Sequence, residues 1–209
     1  MTRATTLLSA LTATLALSAC SYAPYENPYS AVSYDSDHVR MAIQPRYRSI
    51  AVLPFENQTD FANAATYARR SFFGALAAYK NYQLQTLDQT DELLKSVPRK
   101  LLDISEARQL GPVLKTDLLA YGRVRDQRVS YGVVYTTTRI EAEVALVDAR
   151  TGEVVWRAED YRRRSVGGID PYAWSVAYER HYMWAREVIN RYDELFRDMM
   201  MDLPDRVAK

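Results

Sequence analysis

Cysteine is almost missing from this chain. Cys20 stands alone among 209 residues, so no internal disulfide can close and no second thiol is present for a metal site. Histidine is nearly as scarce: His38 and His181 are the only two, too few and too far apart in the chain for a Ser-His-Asp arrangement. The 7 glycines form neither a phosphate loop nor a dinucleotide fingerprint. An excess of one charge is also lacking, because 27 Lys and Arg face 26 Asp and Glu. A nucleic-acid partner would need a clustered basic face, and none is visible. These absences remove the common catalytic constellations and call for no cofactor and no metal. The chain reads as a non-enzyme. What is abundant is tyrosine, with 16 residues, a side chain that suits β-structure and interfaces alike.

The first nineteen residues read as a targeting segment. Arg3 is a minimal positive region, and Leu7 to Leu17 is an apolar stretch too short to span a bilayer. Leu17-Ser18-Ala19-Cys20 resembles the bacterial lipobox, which implies lipidation of Cys20 on sulfur, cleavage before it and acylation of the new amine. Such a residue anchors a chain stably, because several acyl chains succeed where one is marginal. Ser21 rather than Asp after the cysteine implies the outer membrane, periplasmic side. Residues 20–46 then form a tether, with Tyr22, Tyr25, Tyr29 and Tyr34 set among Pro24, Pro28 and polar residues. Asp35, Asp37 and His38 lie in that tether without the rigid surroundings a metal site needs.

Folded structure is expected over 47–166. Ile50-Ala-Val-Leu53 is a continuous apolar run ended by Pro54 and the polar Glu56 to Asp60, the signature of a strand buried on both faces. A helix follows, capped at Asp60 or Asn63 and running to about Lys80, with Arg69 and Arg70 among its polar positions. Tyr82 to Leu87 alternates as a strand, Asp88 opens a short helix, and Asp103 or Ser105 caps another that ends at Gly111-Pro112. From Thr116 the period changes to two. Ile140, Ala142, Val144 and Leu146 share one face, and Arg139, Glu141 and Glu143 the other. Asp148 to Gly152 is a hairpin loop, after which Val154, Trp156 and Ala158 face inward. The fold class is an α+β sandwich: a mixed sheet with an N-terminal β-α-β unit and a C-terminal antiparallel three-strand meander. Helices are expected on one side of that meander.

Residues 167–209 are expected to hold one long amphipathic helix, from about Pro171 to Asp202. Its stripe includes Trp174, Tyr178, His181, Trp184, Tyr192 and Phe196. Core packing is the first reading of that stripe, and a partner or self-association surface the second. Arg162-Arg163-Arg164 is read as a solvated strand end, with contact to lipid phosphates or an anionic wall as the alternative.

Three stretches carry a family resemblance. Ile50-Ala-Val-Leu-Pro-Phe-Glu-Asn-Gln-Thr59, Leu118-Leu-Ala-Tyr-Gly122 and Val144-Ala-Leu-Val-Asp-Ala-Arg-Thr-Gly-Glu-Val-Val-Trp156 are similar to the opening strand, a central strand and the later hairpin of the curli-secretion (CsgG-like) lipoprotein superfamily. That group includes the curli channel, synthase activators of the LpoB kind and small lipoproteins of unassigned function, the last being the nearest in pattern. The resemblance implies an α/β sandwich and a lipid-anchored envelope protein, non-catalytic, that acts on a protein partner or as a homo-oligomer. A part in a secretion channel, or activation of a peptidoglycan synthase, is the alternative it implies. The short connections between Ser49 and Ser165 leave no surplus length for the curli channel's transmembrane hairpins.

Overall fold

A computed structural model describes residues 33–34, 46–131, 135–167 and 177–203. Strand β1 is Ser33–Tyr34, β2 is Ser49–Val52 and β3 is Glu56–Asn57. Helix α1 (Ala64–Tyr79) leads to β4 (Gln83–Gln85), α2 (Leu87–Leu94), two short 3-10 turns and α3 (Ala107–Leu114). The chain then runs through β5 (Leu118–Tyr131), β6 (Tyr135–Asp148) and β7 (Val154–Gly167) to α4 (Ala177–Asp202). All seven strands share one sheet in the order β1-β7-β6-β5-β2-β4, with β3 also on β5. β2 is parallel to β4 and β5, while β5, β6 and β7 form the antiparallel meander.

The apolar run at β2 has the expected cause: both faces are covered. Ile50 and Val52 point into a large cluster under α1 and α4, with Leu118, Ala120, Val144, Leu146 and Trp156. Ala51 and Leu53 point the other way, into a smaller cluster with Leu94, Leu110, Leu114, Leu119 and Val147. Helices therefore flank the sheet on both sides at this end, rather than on the single side that alternation suggested. At the other end the alternation holds, and only the α1/α4 side is buried.

Two bulges set which side chains go where. The register of β5 slips between Val124 and Asp126, so Arg125 is the extra residue and the inward phase moves from Val124 to Gln127. On β7 the slip opposite Leu146/Val147 makes Val155 the extra residue. Val155 and Trp156 both enter the large cluster, and Val154 packs against the smaller one, on the opposite face from that expected.

Close approach explains one glycine. A Cβ on Gly122 would stand 2.3 Å from the Phe55 ring, which fills that space and packs on Phe72 and Phe196 at 5.8 and 6.3 Å between centroids. The first helix follows Asn63, one of the two expected cap positions, although its side chain makes no capping hydrogen bond, and α2 opens on a capping box of Thr86 and Gln89. Helix α3 continues through Gly111-Pro112 instead of ending there, and stops at Lys115 in the left-handed region. Arg69 is buried, contrary to its reading as a surface position: its guanidinium donates to the Val52 carbonyl at 2.7 Å and pairs with Asp91 at 2.7 Å. It ties the end of β2 to both flanking helices.

Candidate functional site

Among the described residues, those singled out in the sequence do not form one site. Cys20, Trp174 and the Asp35, Asp37, His38 group lie outside the described residues. Tyr178, His181 and Trp184 lie on the first half of α4, whose side chains are likewise outside them. Tyr192 and Phe196 are fully buried, so the core reading of the stripe holds there and the surface reading does not. Their rings stack at 6.1 Å, and the Tyr192 hydroxyl donates to Gln127 at 2.7 Å. Burial also drives the Tyr192 pKa upward.

The arginine cluster splits. β7 extends past it to Gly167, so alternation places Arg162 on the inner face, 3% exposed, instead of at a solvated end. It pairs with Asp160 on its own strand and Asp198 on α4, both at 2.5 Å. Burial raises the Asp160 pKa, although Arg162 opposes the shift. Of the three, only Arg163 and Arg164 stand at the surface.

The outer face of the meander is a lattice of ions. Arg125 bridges Glu143 at 2.5 Å and Glu159 at 2.6 Å, and Glu143 also meets Arg157 at 3.4 Å. Arg123 reaches Glu56 at 2.7 Å, while Asp126, Arg128, Arg139 and Glu141 continue the pattern. The β5 bulge makes this density attainable, because it puts Arg125 and Asp126 side by side on the same face. Glu141 and Glu143, adjacent on β6, are each held by guanidiniums. Hydrogen bonds from Gln58 and then Arg123 hold Glu56 below the usual carboxylate range.

A cleft of about 380 Å³ opens at the other end of the sheet, where the chain enters β2. Arg46, Tyr47, Arg108, Asp117, Asp148 and Arg150 line it, with α3 and the β6–β7 loop as its walls. Its two carboxylates are occupied. Asp117 accepts from the Arg48 and Ser49 amides and the Ser49 hydroxyl at 2.8–2.9 Å. Asp148 accepts from Arg46 at 2.9 Å, the Tyr47 hydroxyl at 3.0 Å and the Arg150 and Thr151 amides at 2.8 and 3.1 Å. Burial opposes ionisation of Asp148, but these donors together outweigh it and hold the carboxyl below its ordinary value. The sequence gives little warning of this cleft. Its clue is Gly111 and Gly152, because a Cβ on Gly111 would meet the Ala149 carbonyl oxygen at 2.2 Å and one on Gly152 the Arg108 stem at 2.8 Å.

An open mixed sheet with a long antiparallel meander and a C-terminal helix is an α+β sandwich, as expected. Solved structures share this fold. The PelC dodecamer from Paraburkholderia phytofirmans aligns with a TM-score of 0.57 at 17% identity, covering 85% of this chain and 99% of that one. A variant of that PelC, again a dodecamer, gives 0.53 at 18% identity over 83% and 97% of the two chains. Lipoprotein GNA1162 from Neisseria meningitidis gives 0.50 at 19% identity, over 70% of this chain and 99% of its own. No protein-family model and no curated protein sequence matches the chain.

Proposed function

We propose that this protein is a lipoprotein of the bacterial envelope, held by Cys20 in the outer membrane and facing the periplasm, that works without catalysis by assembling with copies of itself. The observation that carries the reading is a likeness spanning nearly the whole of a chain whose solved form is a dodecamer. Support comes from the lipobox at Leu17 to Cys20 and from GNA1162, which is itself a lipoprotein. The ionic face of the meander suits contact between copies, because it presents both charge signs in alternation and can meet its own kind. The similarity to the curli-secretion superfamily agrees with this reading.

The test begins in intact envelopes. Crosslinking is expected to give a ladder of multiples of this chain, and mass spectrometry an acylated Cys20 at the mature N-terminus. Cys20→Ala is expected to move the protein into the soluble fraction. A non-acylated protein that still partitions with membranes would refute the anchor, and crosslinks only to other proteins would refute self-assembly.

A further inference from the structure

The cleft beside α3 contains more positive charge than it uses. Arg46 is committed to Tyr47 and Asp148, and both carboxylates are saturated from within the protein. Arg108 and Arg150, both exposed, have guanidiniums with no partner among the described residues. They come from different elements, α3 and the β6–β7 loop, so the fold rather than the local sequence brings them to one cleft.

Arg108 is also held in place. Its Cγ lies 2.8 Å from where a Cβ on Gly152 would stand, so the aliphatic stem rests on the glycine. Gly152 has φ +76°, a conformation that favours glycine, and its amide bonds to the Asp148 carbonyl at 2.8 Å. The loop is fixed further by the two amides that Asp148 receives. A side chain whose stem is packed loses less freedom when its head binds, which favours affinity. Guanidinium groups match the geometry of phosphate oxygens and bind them by charge-assisted hydrogen bonds. A volume of about 380 Å³ falls in the range of small-molecule sites and exceeds what one bare ion fills.

We infer that this cleft is a binding site for a phosphate-bearing group, held by Arg108 and Arg150. Two sources share that chemistry: the head group of an anionic phospholipid and a soluble phosphate ester.

Arginine labelling with phenylglyoxal tests it on the full chain in dodecyl maltoside micelles, which contain no phosphate. The labelling rates of Arg108 and Arg150 are read by mass spectrometry against exposed Arg70. Inorganic phosphate is titrated in one series and phosphatidylglycerol in the micelle in a second, at constant ionic strength. At ligand about ten times above its Kd, labelling of Arg108 and Arg150 is expected to slow about ten-fold while Arg70 is unaffected. Protection by inorganic phosphate supports the site and a soluble source, and protection by the lipid alone supports the site and assigns it to head groups. The double variant Arg108→Gln/Arg150→Gln is expected to fold normally and to abolish binding, measured by calorimetry, of whichever ligand gave protection. No slowing of Arg108 and Arg150 labelling in either series, or unchanged binding of the protecting ligand by the double variant, overturns the proposal.

Discussion

The two faces of the sheet contrast along its length. Around β2 and the first residues of β5, the large cluster covers one face and the smaller cluster the other. Further along the meander, the α1/α4 face stays buried while the opposite face carries the ion pairs of Arg123, Arg125, Asp126, Glu143 and Glu159. One sheet thus joins a doubly buried end and a half-buried end. The difference teaches that stability and interaction are divided between them. The packed end fixes the fold and frames the cleft, and the ionic face lies where substitutions cost little.

The largest expected effect comes from the large cluster. Phe72 is fully buried and meets Phe55 and Phe196, so Phe72→Ala is expected to cost about 3–5 kcal/mol in chemical denaturation. A loss under 1 kcal/mol would mean that the cluster is not the main core. Leu110→Ala, in the smaller cluster, is expected to cost about 2–4 kcal/mol. The sheet separates the two sites, so their double variant sharpens the comparison: the losses should add to within about 0.5 kcal/mol. Strong coupling would show that the faces do not act independently.

Asp148 gives a pH-dependent effect at the packed end. Its pKa is depressed in the folded state, so its contribution is complete above the unfolded value of about 4 and is lost as pH falls through the folded value. The difference in urea midpoint between the protein and Asp148→Asn should therefore shrink on acidification below about pH 4. A constant gap would remove ionisation from the account. The smallest effect belongs to the ionic face, where Arg125→Ala is expected to cost about 0–1 kcal/mol despite removing two short contacts. A much larger loss would make that face structural.

Legibility in the sequence follows the same division. The β2 run, the alternation of β6 and the Gly152 turn were readable because each is a local pattern with one physical cause. The bulges at Arg125 and Val155 were not, since an extra residue is defined only by the strand opposite it. Arg69 and Arg162 were read as surface groups because a charge is ordinarily solvated. Their burial depends on Asp91, Asp160, Asp198 and a backbone carbonyl, three of the four supplied from distant parts of the chain. The cleft was faint for the same reason: Arg108 and Arg150 line one space because Gly111 lets α3 press against Ala149.

Self-assembly is the central claim, and the mass of the purified particle tests it most directly. The full chain, extracted from membranes in a mild detergent, is predicted to give one closed oligomer of many copies by native mass spectrometry. A monomer of about the chain mass, unchanged up to high micromolar concentration, would contradict it.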